Sequence, residues 1–247
     1  NTSRKTLFIS RASQMDRELP KEIFRHFNET FVQGFLGFND LSIEVLYHEN
    51  KAALLRALQI ADSDIVDIKM RKEIRPGKNA NIDLISNQVS IENVQQQQLI
   101  ITTFHKSNPS IAFDFSTEES AGTKLLFNFM LTIINVIKNN KILLIDEIEK
   151  SLHTKIVEYI IGLFHASESA QIIYTTHNTN LLNLDNLRKD QIYFVNKKPD
   201  GSSDLYSLFD YKDFRDTMDV EKAYLQGRFD AIPYIDDSMD TLKSVIK

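Results

Sequence analysis

Residues 142–147 read Ile142-Leu143-Leu144-Ile145-Asp146-Glu147, and this stretch decides the fold class. The run Lys141 to Ile145 lies between a turn signal, Asn139-Asn140, and a pair of acids. A short apolar run without alternation reads as a strand buried on both faces, as in a parallel sheet. The two carboxylates then stand at the C-terminal edge of that sheet, where open α/β sheets bind ligands. One carboxylate of such a pair can hold Mg²⁺, usually through water. The other can orient and deprotonate an attacking water. The plain alternative is a buried strand followed by a polar loop.

Before this strand, 123–137 is an intensely apolar helix. Leu125, Leu126, Phe129, Ile133, Ile134 and Ile137 share one face, while Phe127, Leu131 and Val136 fall elsewhere, so burial nearly all round is expected. After it, Ile156, Val157, Ile160, Ile161 and Phe164 pattern an amphipathic helix. Gln171 to Thr175 and Gln191 to Val195 are further strands. Lys198-Pro199-Asp200-Gly201 is a turn signal, and 204–209 pairs back as a hairpin. Strand, helix, strand with these gaps is a βαβ unit.

The first half is more mixed. Residues 5–9 fit a short strand or a helix start, and Pro20 suits the first turn of a helix. Ile23, Phe24, Phe27 and Phe31 recur at helical spacing, closed by Gly34 and Gly37. Residues 50–61 are strong helix formers, and 64–75 pass into a strand. Pro76-Gly77 signals a turn, after which 80–115 reads as a run of strands. The glutamine run 95–98 fits a polar loop or an edge strand.

The chain has 247 residues, 42% hydrophobic and 26% charged, which excludes a largely disordered or collagen-like chain. No leader pattern or uninterrupted apolar span stands out, so no membrane partner is expected. There is no cysteine, which excludes disulfides and thiolate metal sites and fits a reducing, cytoplasmic setting. The formal charge is −5; segment 210–240, with nine acids and four bases, accounts for all of it. No global basic field draws nucleic acid without sequence preference. Glycine is scarce, with seven residues, so a glycine-rich phosphate loop has little to be made from.

Two further segments carry chemistry. Ser116-Thr117-Glu118-Glu119-Ser120-Ala121-Gly122-Thr123-Lys124 enters the apolar helix. Small residues there leave backbone N–H groups open to an anion, and Lys124 adds charge. Its plain alternative is a helix start with a Ser116/Glu119 capping box. The other is His177, just after strand 171–175, which could reach a terminal phosphate or a water. A lone strand-end histidine can equally be structural. The 31 residues from Asp146 to His177 hold one helix and one strand, placing both near one sheet edge.

With these residues in order, the chain resembles an ABC-type ATPase of the RecF/SMC/OLD-like group. It is most similar to bacterial AAA family ATP-binding proteins of abortive-infection and phage-defence systems, PtuA- or RloA-like. Glu119 to Thr123 resembles the signature motif, Ile142 to Glu147 the Walker B strand, Asp146 to His153 its run into the D-loop, and Tyr174 to Asn178 the switch-histidine motif. Ala223 to Phe229 also resembles the subgroup. The likeness covers about Phe113 to Pro233.

The resemblance implies a P-loop NTPase parallel sheet flanked by helices, with a helical arm and antiparallel strands in the N-terminal half. It divides the chain into an arm (1–78), an ATPase core (79–210) and an acidic segment packed on the core (211–247). ATP and Mg²⁺ are the implied cofactors: Asp146 holds Mg²⁺, Glu147 polarises water and His177 senses the γ-phosphate. Ser120, Ala121, Gly122, Thr123 and Lys124 meet nucleotide held by a partner subunit, and Ser151 and His153 lie in the D-loop. A head-to-tail homodimer or higher oligomer is implied, with a separate nuclease or effector and DNA or RNA as partners.

One departure is large: no G-x-x-x-x-G-K-[ST] occurs, neither at Gly77-Lys78 nor at Gly122 to Lys124. The expectation is a phosphate loop upstream of Asn1. The alternatives are a degenerate cassette serving as an interaction scaffold, and a metal-dependent nuclease using Asp146, Glu147, Glu149 and His153.

Overall fold

The structure is a computed structural model that describes residues 18–34, 42–61, 64–83, 88–150, 152–198, 200–211, 214, 218–232 and 238–246. Residues 5–9 lie outside the described residues. The fold class expected from the sequence is the one found: mixed α/β, with a three-stranded parallel sheet and antiparallel strands in the N-terminal half. The chain forms two compact units, Asn1–Thr176 and His177–Lys247.

In the first unit the parallel sheet has the order β1 (Phe31–Gln33), β5 (Ile142–Ile145), β6 (Gln171–Tyr174). Phe31 pairs with Ile142, and Ile145 pairs with Tyr174. Helix α4 (Thr154–His165) makes the crossover from β5 to β6, which is the expected βαβ unit. Val157, Ile160, Ile161 and Phe164 bury its apolar stripe. Helix α1 (Glu18–Thr30) leads into β1, so part of the segment expected as a helical arm supplies an edge strand of this sheet.

Helix α3 (Ala121–Lys138) is the core of the unit. Leu126 to Ile133 are all buried without a break, as is Val136, which matches the all-round apolar sequence. By length and composition this helix alone would pass for a membrane-crossing one, yet it is packed inside the fold. Asn139 caps its C-terminus, and Asn140 turns the chain with φ 51° into β5. Helix α2 (Ser42–Ile60) packs against α3 through a face that buries Ile43, Tyr47, Leu54 and Leu58. It is longer than the 50–61 segment that propensity alone marked.

The antiparallel sheet has the order β2 (Ile65–Asp83), β3 (Gln88–His105), β4 (Asn108–Asp114). Pro76-Gly77 does not turn the chain: both residues sit within β2, opposite Gln95 and Val94. β2 is an edge strand, where a proline's missing N–H leaves no ladder bond unmade. Residues 95–98 likewise belong to strand β3. The root of this ribbon is buried at Ile65, Ile68, Ile101 and Thr103, whereas Ile74 farther out is 69% exposed.

The second unit is a hairpin, β7 (Tyr193–Lys197) with β8 (Ser203–Ser207), plus helices α5 (Val220–Leu225) and α6 (Met239–Val245). Its core gathers Ile192, Phe194, Leu208, Phe214, Val220, Ala223 and Phe229.

Phe127 is fully buried in α3 and Phe209 is 71% exposed. Phe127→Ala is expected to cost about 3–5 kcal/mol in urea unfolding. Phe209→Ala should stay within about 0.5 kcal/mol.

Candidate functional site

The edge of the parallel sheet is built from the ends of β5 and β6. Ladder pairing continues past the strands: Thr175 N–H donates to the Ile145 carbonyl (3.0 Å), and Ile148 N–H donates to the Thr175 carbonyl (3.1 Å). Between these bonds the Thr175 hydroxyl does two jobs. It donates to Asp146 Oδ1 (2.5 Å) and accepts from Glu147 N–H (2.8 Å). Glu147 has φ 52°, the left-handed region that a non-glycine residue occupies at a cost of roughly 1–3 kcal/mol. The bonds to Thr175 help offset that cost and turn the chain away from the strand axis. One residue on, the Thr176 hydroxyl donates to Glu149 Oε2 (2.6 Å). Lys150 lies 3.9 Å from Glu147, a weak exposed pair.

Asp146 and Glu147 are both exposed at this edge, so water reaches them. Among the described residues no three His, Cys, Asp or Glu side chains gather as a metal cage. The four-ligand cluster expected by the nuclease alternative does not form there: His153 instead caps α4, its Nδ1 accepting from Lys155 N–H (3.2 Å). A single oriented carboxylate does fit Mg²⁺ held mostly by nucleotide phosphates and water.

The segment entering α3 is tied down by its own side chains. Asp114 Oδ1 accepts from the N–H and hydroxyl groups of both Ser116 and Thr117. The expected Ser116/Glu119 capping box is therefore absent, because Asp114 captures Ser116. The helix cap is Ser120, whose Oγ accepts from Thr123 N–H (3.0 Å) and lies 2.8 Å from the Thr123 hydroxyl. Ser120, Ala121 and Gly122 are exposed at the helix N-terminus, as an anion-binding turn requires. Lys124 folds back, its Nζ donating to the Ser116 carbonyl (2.6 Å). Reaching an outside phosphate would mean releasing that bond.

Ser151 lies outside the described residues. His177 is exposed and opens the second unit. Next to it, Asn178 caps the short turn Thr179–Leu181. Sequence reasoning missed Thr175: the Tyr174 to Asn178 motif drew attention to its histidine, while the threonine two residues earlier joins the carboxylates. The signal was its register, since the ladder sets Tyr174 beside Ile145 and so Thr175 beside Asp146.

A parallel sheet with paired carboxylates at its edge, and a capped small-residue turn opening a buried helix, are the features of an α/β ligand-binding domain. Residues 3–183 match the family model described as "AAA domain, putative AbiEii toxin, Type IV TA system". The chain belongs to this AAA family. Among solved structures it is similar to one reported under "Structural biochemistry of ATP-driven dimerization and DNA stimulated activation of SMC ATPases". That similarity is 18% identity over 83% of this chain and 98% of the other, with a TM-score of 0.36. No curated protein matches.

Thr175→Val removes both hydroxyl bonds and keeps the β-branched shape. Urea unfolding is expected to show a loss of about 1–3 kcal/mol, because the Glu147 N–H and the Asp146 carboxylate each lose a partner at a strained turn. Thr175→Ser should recover most of it, and urea unfolding of both variants checks this.

Proposed function

We propose that this protein is the ATP-hydrolysing switch subunit of a bacterial defence or DNA-transaction system, acting in the cytoplasm. The observation that carries the reading is the braced carboxylate pair, Asp146 and Glu147, at the C-terminal edge of the parallel sheet. Family membership supports nucleotide as the ligand.

In this reading Asp146, fixed by Thr175, holds Mg²⁺, which neutralises phosphate charge when bound. Glu147, aimed by its left-handed backbone, accepts the proton of an attacking water. His177 orients the terminal phosphate. The exposed turn Ser120 to Thr123 offers N–H and hydroxyl donors to nucleotide on a second copy, with Lys124 joining once it leaves Ser116. Ser151 and His153 lie at the boundary between copies. Two such turns meeting two nucleotides require head-to-tail subunits related by two-fold symmetry. Nucleotide then acts as the link whose hydrolysis lets the subunits part. The output is a separate effector, such as a nuclease, with DNA or RNA as the trigger or target.

The test reads nucleotide binding and turnover separately. Glu147→Gln removes the base and keeps the shape. It is expected to slow turnover by about 10²–10⁴-fold while Mg-ATP stays bound. Sedimentation should show a stable dimer with Mg-ATP and monomer without it. Monomer at saturating Mg-ATP would sink the switch reading, and no Mg-ATP binding at all would favour a non-catalytic scaffold.

A further inference from the structure

Glu119 is a carboxylate taken out of water, with its side chain 6% exposed. An ionised carboxylate is so placed only when well partnered. Its partners all come from the root of the antiparallel sheet. His105 Nε2 lies 2.7 Å from Glu119 Oε1, and the hydroxyl of buried Thr103 donates to the same oxygen. His105 Nδ1 lies 2.6 Å from Asp64 Oδ1. With both ring nitrogens facing carboxylates, the doubly protonated imidazolium suits both contacts at once. The charged groups facing the ring are Asp64, just before β2, and Glu119, from the segment entering α3. From β4 it meets the uncharged Phe113 ring, edge-on at 4.8 Å. Burial alone would lower the His105 pKa; the bonds to Asp64 and Glu119 outweigh it and hold the pKa above its ordinary 6.5.

Glu119 immediately precedes Ser120, the cap of α3 and first residue of the exposed small-residue turn. The turn is therefore tied to the antiparallel sheet by side chains, through the His105–Glu119 contact and the Thr103 hydroxyl, as well as by the backbone bond from Phe115 N–H to the Ile101 carbonyl (3.0 Å). We propose that His105 is a positioning residue which, through Glu119, holds the Ser120 to Thr123 turn in place to meet nucleotide carried by a second copy of the chain. This role rests on the ATP-bridged dimer proposed above. It also makes the dimer sensitive to pH. The charged clamp is complete below about pH 6.5 and is lost as pH rises through the raised pKa of His105.

The test compares wild type, His105→Gln and Glu119→Gln in the native gene product. Fluorescent ATP binding is read at dilutions where subunits stay apart, and Mg-ATP-dependent dimerisation by sedimentation. A turn that serves only the neighbour's nucleotide leaves single-subunit binding within about twofold, while the dimer dissociation constant rises about tenfold or more. The double variant should be no worse than either single one. Dimerisation of wild type should weaken as pH rises, and in Glu119→Gln the pH-dependent part should shift down or vanish. If wild type binds Mg-ATP but does not dimerise, the dimer reading falls and this role falls with it. If wild type dimerises and both variants match it, the dimer reading stands and the role of His105 is overturned. Should a variant fail to fold, NMR titration of the His105 ring in wild type decides: a midpoint at or below 6.5 overturns the clamp.

Discussion

The pairing of β5 with β6 is the constraint on which the carboxylate edge depends. Parallel ladders have evenly spaced, slanted hydrogen bonds, so register along one strand places every residue of the next. Here the ladder runs one step beyond the apolar strands and brings the Thr175 hydroxyl between Asp146 and the Glu147 N–H. The left-handed turn at Glu147 is tolerable because bonds on either side hold it. The carboxylates are exposed, yet their positions are properties of the sheet beneath them, which is anchored on its buried face. Leu143 and Ile145 supply that burial, and α3 adds its unbroken apolar surface.

The turn before α3 is held by polar means. Asp114 gathers the backbone and hydroxyls of Ser116 and Thr117, Lys124 closes on the Ser116 carbonyl, and Glu119 is drawn into the root of the antiparallel sheet. A carboxylate buried this way contributes specificity more than net stability. It adds a polar tie to parts of the unit already joined by the bond from Phe115 N–H to the Ile101 carbonyl and by the packing of Phe115 on Phe127. The long ribbon of β2 and β3 is anchored at the same root, where Ile65, Ile68 and Ile101 are buried. Farther out along β2, Ile74 is exposed.

Much of the core was legible in the chain. The run Ile142 to Ile145 became the central parallel strand, but it is not buried on both faces as expected: Leu143 and Ile145 are buried, Ile142 and Leu144 only partly, and Ile173 of the neighbouring β6 is exposed. The segment 123–137 became the buried helix because its apolar residues leave no face for water. Pro76-Gly77 misled, since turn chemistry is a local preference and the edge of a sheet accommodates a proline. The capping box at Ser116 and Glu119 misled for a related reason. Both side chains had stronger partners: Asp114, two residues away in sequence, and His105, which only the fold brings near.

Sequence alone therefore determined the elements whose burial is dictated by periodicity, together with the chemistry offered at their ends: Asp146 and Glu147 after a strand, small residues and Lys124 at a helix start. Only the tertiary structure decided what those groups do with one another. Thr175 lies 29 residues from Asp146, and His105 lies 14 from Glu119. Hydrogen bonds across such separations depend on strand register and helix packing, and neither is encoded in any local pattern of residues.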